Sequence, residues 1–454
     1  MELAGKRVLV MGMGKSGLAM LRLIREQGGA PTACDSKPLA ELESVSAQIV
    51  SLSSGYLTQA EAAETTAAGF DLVTISPGVP ADLPMLEAAR GAGIPVVGEV
   101  ELASAYLRGP VLAITGTNGK TTTTSLAGHL LKSAGIPAQV GGNIGTPVCD
   151  MIATSADDRW NVLELSSFQL ETTVGFRADI AVCLNVTPDH LDRHRTMENY
   201  IAQKRRLFET QTPGGHAVLN AGDPIVASFA GVSPAAPHFF SLSAASADAP
   251  CEMELRGDDI IYRGEKLFGR SAIPLAGLHN VENVMAASLA ALLAGAPPAA
   301  AAQGISSFPG VEHRLEFVRR LNGVLWYNDS KATNVDAALK AIASFQQPLW
   351  IILGGKDKNS DYRPLADALQ GKVRKALLIG DATGLIASQI SPAVPSVACE
   401  TISGAVDYAF RHARMGDLVL LAPACASFDQ FQGYEHRGRV FKTLVEGLSK
   451  EDGR

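Results

Sequence analysis

Val111-Leu112-Ala113-Ile114-Thr115-Gly116-Thr117-Asn118-Gly119-Lys120-Thr121-Thr122 is the stretch on which the fold turns. Its first residues form an apolar run with the length and composition of a buried strand, and this run leads straight into a glycine turn and a Thr-rich helix start. Glycines let a backbone wrap closely around a phosphate, and the first N–H groups of the following helix point at the anion with the helix dipole behind them. Lys120 is placed to reach the β- and γ-phosphates, and the Thr121 hydroxyl to ligate Mg²⁺. The common phosphate-loop pattern G-x-x-x-x-G-K-[ST] is not fully met, because Ile114 stands where its first glycine belongs. A glycine turn that merely caps a helix is the plain alternative. The flanking strand and helix favour a phosphate loop.

Outward from this loop the chain alternates strand, turn and helix, the pattern of parallel sheets covered by helices. The fold expected is α/β with three domains in series. Residues 1–98 form a Rossmann-like domain, 99–310 a central ATPase-like parallel sheet, and 311–454 a second Rossmann-like domain. A length of 454 residues agrees, because single cores stop growing at about 250–300 residues. The second boundary is drawn where the Ala/Pro-rich stretch Gly295–Gln303 meets the turn Phe308-Pro309-Gly310.

Strands are expected at Asp71–Ser76 and Ile94–Val97, then at Asn161–Leu165, Ile180–Asn185 and Ala217–Asn220. Further strands are expected at Val324–Tyr327, Leu349–Leu353, Ala376–Ile379 and Leu418–Leu421. Several end on polar groups, which is where open parallel sheets place their ligands. Glu164 ends one strand and offers a hard oxygen to magnesium, and Asn185-Val186-Thr187-Pro188-Asp189-His190-Leu191-Asp192 follows another. On a helix beginning near Thr196, Lys204 shares a face with Tyr200, Leu207 and Phe208. Its ammonium either snorkels to water or enters the magnesium neighbourhood neutralised or chemically modified.

Composition excludes several classes. The net charge of −7 is mild and Lys and Arg are scattered, so no nucleic-acid surface is expected. Cys34, Cys149, Cys183, Cys251, Cys399 and Cys425 lie far apart without a CxxC or Cys/His cluster, which argues against zinc and a disulfide framework. With no signal-like N-terminus and no apolar stretch approaching about 20 residues, a cytoplasmic protein without membrane association is expected. No obligate protein partner is implied.

A phosphate loop beside hard-oxygen ligands suits chemistry that makes an inert carboxylate reactive by phosphorylation, so that an amine attacks it. Thr115–Thr122, Glu164–Gln169, Asn185–Asp192, His279–Asn283, His313-Arg314 and Asp329–Asn334 resemble the motifs of the Mur ligases of peptidoglycan assembly, in the same order and across essentially the whole chain. The run Ala422–Phe431 with Tyr434, Glu435, Arg437 and Gly438 resembles the branch that joins D-glutamate to UDP-N-acetylmuramoyl-L-alanine.

The resemblance implies an ATP site at Gly116, Thr117, Asn118, Gly119, Lys120, Thr121, Thr122 and Thr123, with Asn283, Arg314 and Asp329 serving the nucleotide. It implies two Mg²⁺, one on Thr121 and Glu164, the other on His190 and a Lys204 carbamylated by CO₂. Lys120, His190 and Lys204 would carry the chemistry. His190, Thr333, Lys358, Ser427 and Tyr434 would surround D-glutamate, while Asn143 and Gln169 would face the muramoyl substrate.

The first domain carries Gly12-Met13-Gly14-Lys15-Ser16-Gly17, a G-x-G-x-x-G turn after a strand, with Asp35 where a ribose-binding acid would stand in a dinucleotide fold. The resemblance makes this a UDP-diphosphate site instead, with Gly14, Lys15, Ser16, Asp35, Ser36 and Lys37 near the uridine end and Ser76, Pro77 and Gly78 lining the pocket. A dehydrogenase built on that turn is the rival, and it leaves the phosphate loop, Glu164 and His190 unexplained. A non-catalytic nucleotide switch is a third reading, and it has no need of the loops in the last domain.

Overall fold

The computed structural model describes residues 1–243, 251–275, 277–390 and 393–449. The apolar runs of the sequence become the centres of three sheets. The first holds β1 (Arg7–Met11), β2 (Ala30–Asp35), β3 (Tyr56–Thr58), β4 (Leu72–Ile75) and β5 (Val96–Gly98), all parallel, in the order β3-β2-β1-β4-β5. Along β1, Val8 and Val10 pack into one core and Leu9 and Met11 into another. A parallel strand covered on both faces has no polar side, and so its sequence reads as an unbroken apolar run.

The second sheet holds β6 (Val111–Thr115), β7 (Ala138–Gly142), β8 (Trp160–Glu164), β9 (Ile180–Cys183), β10 (His216–Asn220), β11 (Ala236–Ser241), β12 (Met253–Arg256), β13 (Asp259–Tyr262) and β14 (Glu265–Gly269). Their order is β14-β13-β12-β11-β10-β9-β6-β8-β7. The strand of the quoted stretch is therefore flanked by β8 and β9, with its chain neighbour β7 beyond β8. The antiparallel arm β12 to β14 was not foreseen. Its strands mix charged and apolar residues, as in Met253-Glu254-Leu255-Arg256, and each is too short for a period of two to stand out.

The third sheet holds β15 (Glu316–Leu321), β16 (Val324–Asn328), β17 (Leu349–Gly354), β18 (Val373–Ile379), β19 (Ser396–Glu400) and β20 (Leu418–Leu421), in the order β15-β16-β20-β17-β18-β19. In this sheet only β15 runs antiparallel among the described strands. Leu349, Ile351 and Leu353 of β17 face one core with Leu418 and Leu420, while Trp350 and Ile352 face the other with Val419 and Leu421. Fully burying a side chain of this size stabilises by about 1.5–3 kcal/mol, so these central strands fix the register of the sheet.

The chain divides into two compact units, Met1–Ala272 with Glu282–Phe308, and Ile273–Val281 with Pro309–Arg454. The first contains two of the sheets and the second contains the third. Among the described residues no helix is long and apolar enough to cross a membrane.

Candidate active site

Strand pairing brings the distant motifs of the first unit together. Ile114 pairs with Glu164 across β6 and β8, and Thr115 pairs with Cys183 across β6 and β9. Adjacent strands lie about 4.8 Å apart. The loop after β6, the carboxylate ending β8 and the segment after β9 therefore share one edge of the sheet. The loop turns at Gly116 and Gly119, with φ of 148° and 87°. A Cβ at Gly119 would lie 2.1 Å from the side-chain oxygen of Asn283, so this position requires glycine and brings Asn283 against the loop. Gly119 caps the helix Lys120–Ser133, whose first turn has no acidic side chain to compete for an anion.

Two lysines meet at this loop. Lys120 Nζ donates to the carbonyl oxygens of Gly116 (2.9 Å) and Thr117 (2.8 Å). Lys204 Nζ, on the helix Met197–Glu209, donates to the same Gly116 oxygen at 2.8 Å. Lys204 is fully buried, and its ammonium lies 4.5 Å from the Tyr200 ring centroid. Burial first, and the charge of Lys120 second, pull its pKa from 10.5 down to about 7. Of the two sequence readings, snorkelling to water is thereby ruled out. Tyr200, read from sequence only as part of an apolar face, places its hydroxyl 3.0 Å from Thr117 Oγ1, which also donates to the Thr187 carbonyl. Asn185 accepts from Asn118 N–H (2.8 Å) and donates back to the Asn118 carbonyl, which splints the loop.

Glu164 is 1% exposed. Asn143 donates to its Oε1 at 2.8 Å, while Oε2 is buried without a hydrogen-bond partner. The Thr122 hydroxyl is buried and unpartnered as well. A buried anionic oxygen without a donor is costly unless something binds it, and a hard divalent cation fits it. Among the described residues no group of three or more His, Cys, Asp or Glu could hold a metal. Such an ion would therefore take most of its oxygens from phosphates and water, which is the habit of magnesium. Asn143, expected to face the muramoyl substrate, here positions Glu164.

His190 adopts a left-handed conformation (φ 53°) at the start of the short helix Leu191–His194. The Asp189 carboxylate lies 3.6 Å from its Nε2, and the Phe168 ring packs edge-on with centroids 4.8 Å apart. Three residues on, Arg193 lies over the same ring at 4.2 Å, pairs with Glu171, and donates to the carbonyls of Pro77 (2.8 Å) and Val79 (3.0 Å). Arg193 thereby ties the His190 segment to the Ser76-Pro77-Gly78 turn of the first sheet. Nothing in the sequence pattern singled it out.

In the first sheet, the Ser76 hydroxyl donates to Gly12 O, and a Cβ on Gly17 would lie 1.9 Å from that same oxygen, so the turn packs directly under its helix. Gly14 precedes the helix Lys15–Glu26. The Ser16 hydroxyl donates to buried Glu99. Asp35 accepts from Met13 N–H (2.8 Å), Ser36 Oγ and Lys37 N–H, so this carboxylate shapes the turn itself. Gln169 caps its own helix, its side-chain oxygen accepting from Ser166 N–H and Oγ.

The remaining candidates lie in the second unit. Asp329, 4% exposed, accepts from Leu315 N–H, and its pKa is raised from 3.8 to about 6 because burial outweighs the pull of Arg314. Arg314 Nε is buried without a hydrogen-bond partner. Thr333 follows two residues after Lys331, whose ammonium lies 5.3 Å from the Tyr434 ring centroid. Lys358 sits in the loop after β17 and Ser427 in the loop after β20, and these two strands are neighbours. Buried Arg437 spans two of these loops, donating to Ser330 Oγ and O and to the carbonyls of Cys425 and Ala426.

A glycine loop between a buried strand and a helix, a buried carboxylate with an unpartnered oxygen beside it and a further α/β unit with its own polar loops suit a nucleotide-using α/β enzyme. Known proteins narrow this. Residues 6–98 match the family description "Mur ligase MurD-like, N-terminal domain", 114–291 "Mur ligase middle domain" and 313–425 "Mur ligase, glutamate ligase domain". The chain is 54% identical, over 100% of both proteins, to a UDP-N-acetylmuramoylalanine--D-glutamate ligase of Solibacter usitatus. It is 48% identical to the protein of that name in Acidobacterium capsulatum, over 98% of this chain and 97% of the relative. A pseudomurein peptide ligase type C from Methanothermus fervidus shares the fold with TM-score 0.63 at 16% identity, covering 98% of this chain and 100% of its own. The UDP-N-acetylmuramate-alanine ligase of Thermotoga maritima does so with TM-score 0.61 at 16% identity, over 97% and 99%. The chain belongs to the Mur ligase family, and it is an ATP-dependent ligase that forms a C–N bond.

Proposed function

We propose that the protein joins D-glutamate to UDP-N-acetylmuramoyl-L-alanine with release of ADP and phosphate, a step in peptidoglycan precursor synthesis in the cytoplasm. The observation that supports it most is the meeting of Lys120 and Lys204 at the Gly116 carbonyl, on the sheet edge where Glu164 keeps a buried oxygen unpartnered. In this reading Gly116 to Thr123 and Asn283 hold ATP, and Arg314 and Asp329 serve the nucleotide.

A substrate carboxylate oxygen attacks the γ-phosphorus, the bond to the β-phosphate oxygen breaks, and ADP leaves an acyl-phosphate. The D-glutamate nitrogen then bonds to the acyl carbon, the C–O bond to phosphate breaks, and the nitrogen gives up two of its three ammonium protons, keeping one as the amide N–H. In this reading His190, beside Asp189, takes one. Lys120 neutralises charge on the transferring phosphoryl group. Thr121 and Glu164 would hold one magnesium, and His190 and Lys204 a second, supplying further charge neutralisation. Lys204 suits this as a carbamate: with its pKa lowered to about 7, a substantial neutral fraction is present near neutral pH, and the neutral nitrogen adds to CO₂ with loss of a proton. The repelling cation becomes an anionic ligand.

The Ser76–Gly78 turn and the Gly14–Ser16 and Asp35–Lys37 segments would take the UDP group, with Asn143 and Gln169 towards the muramoyl part. Thr333, Lys358, Ser427 and Tyr434 would hold D-glutamate. Phosphate release measured over a substrate panel tests the reading. Release is expected only with UDP-N-acetylmuramoyl-L-alanine, D-glutamate, ATP and Mg²⁺ together. Equal release with L-lysine or meso-diaminopimelate refutes it.

A further inference from the structure

Lys358 and Ser427 stand on separate loops of the third sheet, and something must fix how far apart they are held. Where the strands end, Gly354 N–H donates to Pro423 O at 2.8 Å, and further out the loops meet through the backbone at Lys356 and Ala426. Lys356 N–H donates to Ala426 O at 2.9 Å and Ala426 N–H donates back at 3.1 Å. Gly355 is held at φ 132° there, and a Cβ on it would lie 2.2 Å from Ala426 O. These backbone bonds end at Lys356, and none of them reaches Lys358 itself.

A further tie comes from side chains. The Asp357 carboxylate accepts from Asn359 N–H (3.0 Å), Ser360 N–H (3.1 Å) and the Tyr362 hydroxyl (2.6 Å), folding residues 357–360 around itself. Burial pushes this carboxyl up, but the hydrogen bonds from Tyr362 and from the Ser360, Asn359 and Lys358 amides outweigh it and leave the group below the usual range. The Tyr362 hydroxyl also lies 3.0 Å from Cys425 Sγ. With its proton committed to Asp357, the thiol is left as donor to the phenolic oxygen. Cys425 in turn is held by its carbonyl, which accepts from buried Arg437 at 3.2 Å. Tyr362 and Cys425 are 0% and 1% exposed, so water does not compete for these bonds.

We infer that Tyr362 is a positioning residue, and that its hydroxyl, bridging Asp357 and Cys425, sets the spacing between Lys358 and Ser427 and so the affinity for the incoming amino acid. The inference rests on the reading that these two residues hold that amino acid. Tyr362 itself touches no substrate.

The test is steady-state kinetics on the full chain. Tyr362→Phe keeps the ring and removes the bridge. Its KM for D-glutamate is expected to rise about tenfold, the scale of one hydrogen bond to a charged group. KM for ATP and for the muramoyl substrate, and kcat, are expected to stay within about twofold, as the bridge contacts neither group. Asp357→Ala is expected to match Tyr362→Phe, and Asp357→Asn, which keeps an acceptor oxygen for the hydroxyl, to recover most of the affinity. An unchanged KM for D-glutamate in a folded Tyr362→Phe protein, or an equal rise in all three KM values, overturns the inference. Cys425→Ala removes the other end of the bridge, so a Tyr362→Phe protein that fails to fold does not shelter the idea; an unchanged D-glutamate KM in Cys425→Ala overturns it equally. If wild-type protein uses another amino acid, the functional reading falls, while the same KM ratios for that amino acid still decide the role of Tyr362.

Discussion

Lys204 Nζ donates to the carbonyl oxygen of Gly116 at 2.8 Å, across 88 residues of chain. The bond places a buried amine at the first turn of the proposed phosphate loop, where Lys120, in the proposed reading, already supplies the cation that phosphates need. A second ammonium there is redundant for nucleotide binding and hostile to metal, which is the physical argument for a modified Lys204.

Lys204→Ala is therefore expected to lose about a hundredfold or more of the ADP-forming rate, the scale of removing one charged group from a phosphoryl-transfer site. Formate or acetate is expected to restore part of it by supplying the missing carboxylate. The rate of ADP release with and without added acid checks this. Wild-type turnover in the alanine variant removes Lys204 from the mechanism.

The same lysine has a stability signature in CO₂-free buffer. Its folded pKa of about 7 lies below the ordinary 10.5, so between these values the unfolded chain binds the extra proton and stability rises with pH. Below pH 7 the cost of burying the cation is fully present. Lys204→Met is expected to be more stable than wild type at pH 6, by roughly 2–5 kcal/mol, with the gap shrinking towards pH 10. Urea unfolding at the two pH values measures it. A gap that widens with pH contradicts the assignment.

Much of this was legible in the sequence because parallel strands buried on both faces leave an apolar signature, and because a phosphate loop must use glycines at defined points. Val111–Thr115, Leu349–Gly354 and Leu418–Leu421 were found on that ground. The face of the Lys204 helix was also readable, since Tyr200, Lys204, Leu207 and Phe208 are its buried residues. Three things were not. The β12 to β14 arm lacks a sustained alternation. Arg193 and the Tyr200 hydroxyl act through carbonyls and hydroxyls that only tertiary pairing brings near. Nor does the sequence show that the Asn143 amide holds Glu164, a contact set by the pairing of β7 with β8.

Glu164→Gln separates the metal binding proposed for this carboxylate from folding. Glu164 Oε2 is buried and unpartnered, so the carboxylate does little for the protein without metal, and a neutral amide of the same shape removes a buried charge. The midpoint of thermal unfolding without Mg²⁺ is expected to stay level or rise. The Mg²⁺ concentration for half-maximal ATP turnover is expected to rise about tenfold or more, as a hard anionic ligand is lost. An unfolding midpoint that falls steeply, with the Mg²⁺ requirement unchanged, would make Glu164 a structural residue.

Asp329→Asn opposes stability to function in the second unit. Burial raises the Asp329 carboxyl to about 6 from 3.8, so between these values the folded protein holds the extra proton and stability falls as pH rises. The stabilising contribution of the protonated form is complete below pH 4 and lost above pH 6. Asparagine keeps an oxygen for the Leu315 N–H bond and has no charge to bury. The variant is thus expected to match wild type near pH 4 and to exceed it by about 1–3 kcal/mol at pH 8, less whatever is lost in attraction to Arg314. If Asp329 serves the nucleotide, ATP turnover at pH 8 falls in the same protein. Urea midpoints at the two pH values, read beside the turnover rate, check both halves; a variant that is less stable at pH 8 than at pH 4 relative to wild type shows that attraction to Arg314 outweighs the burial of Asp329.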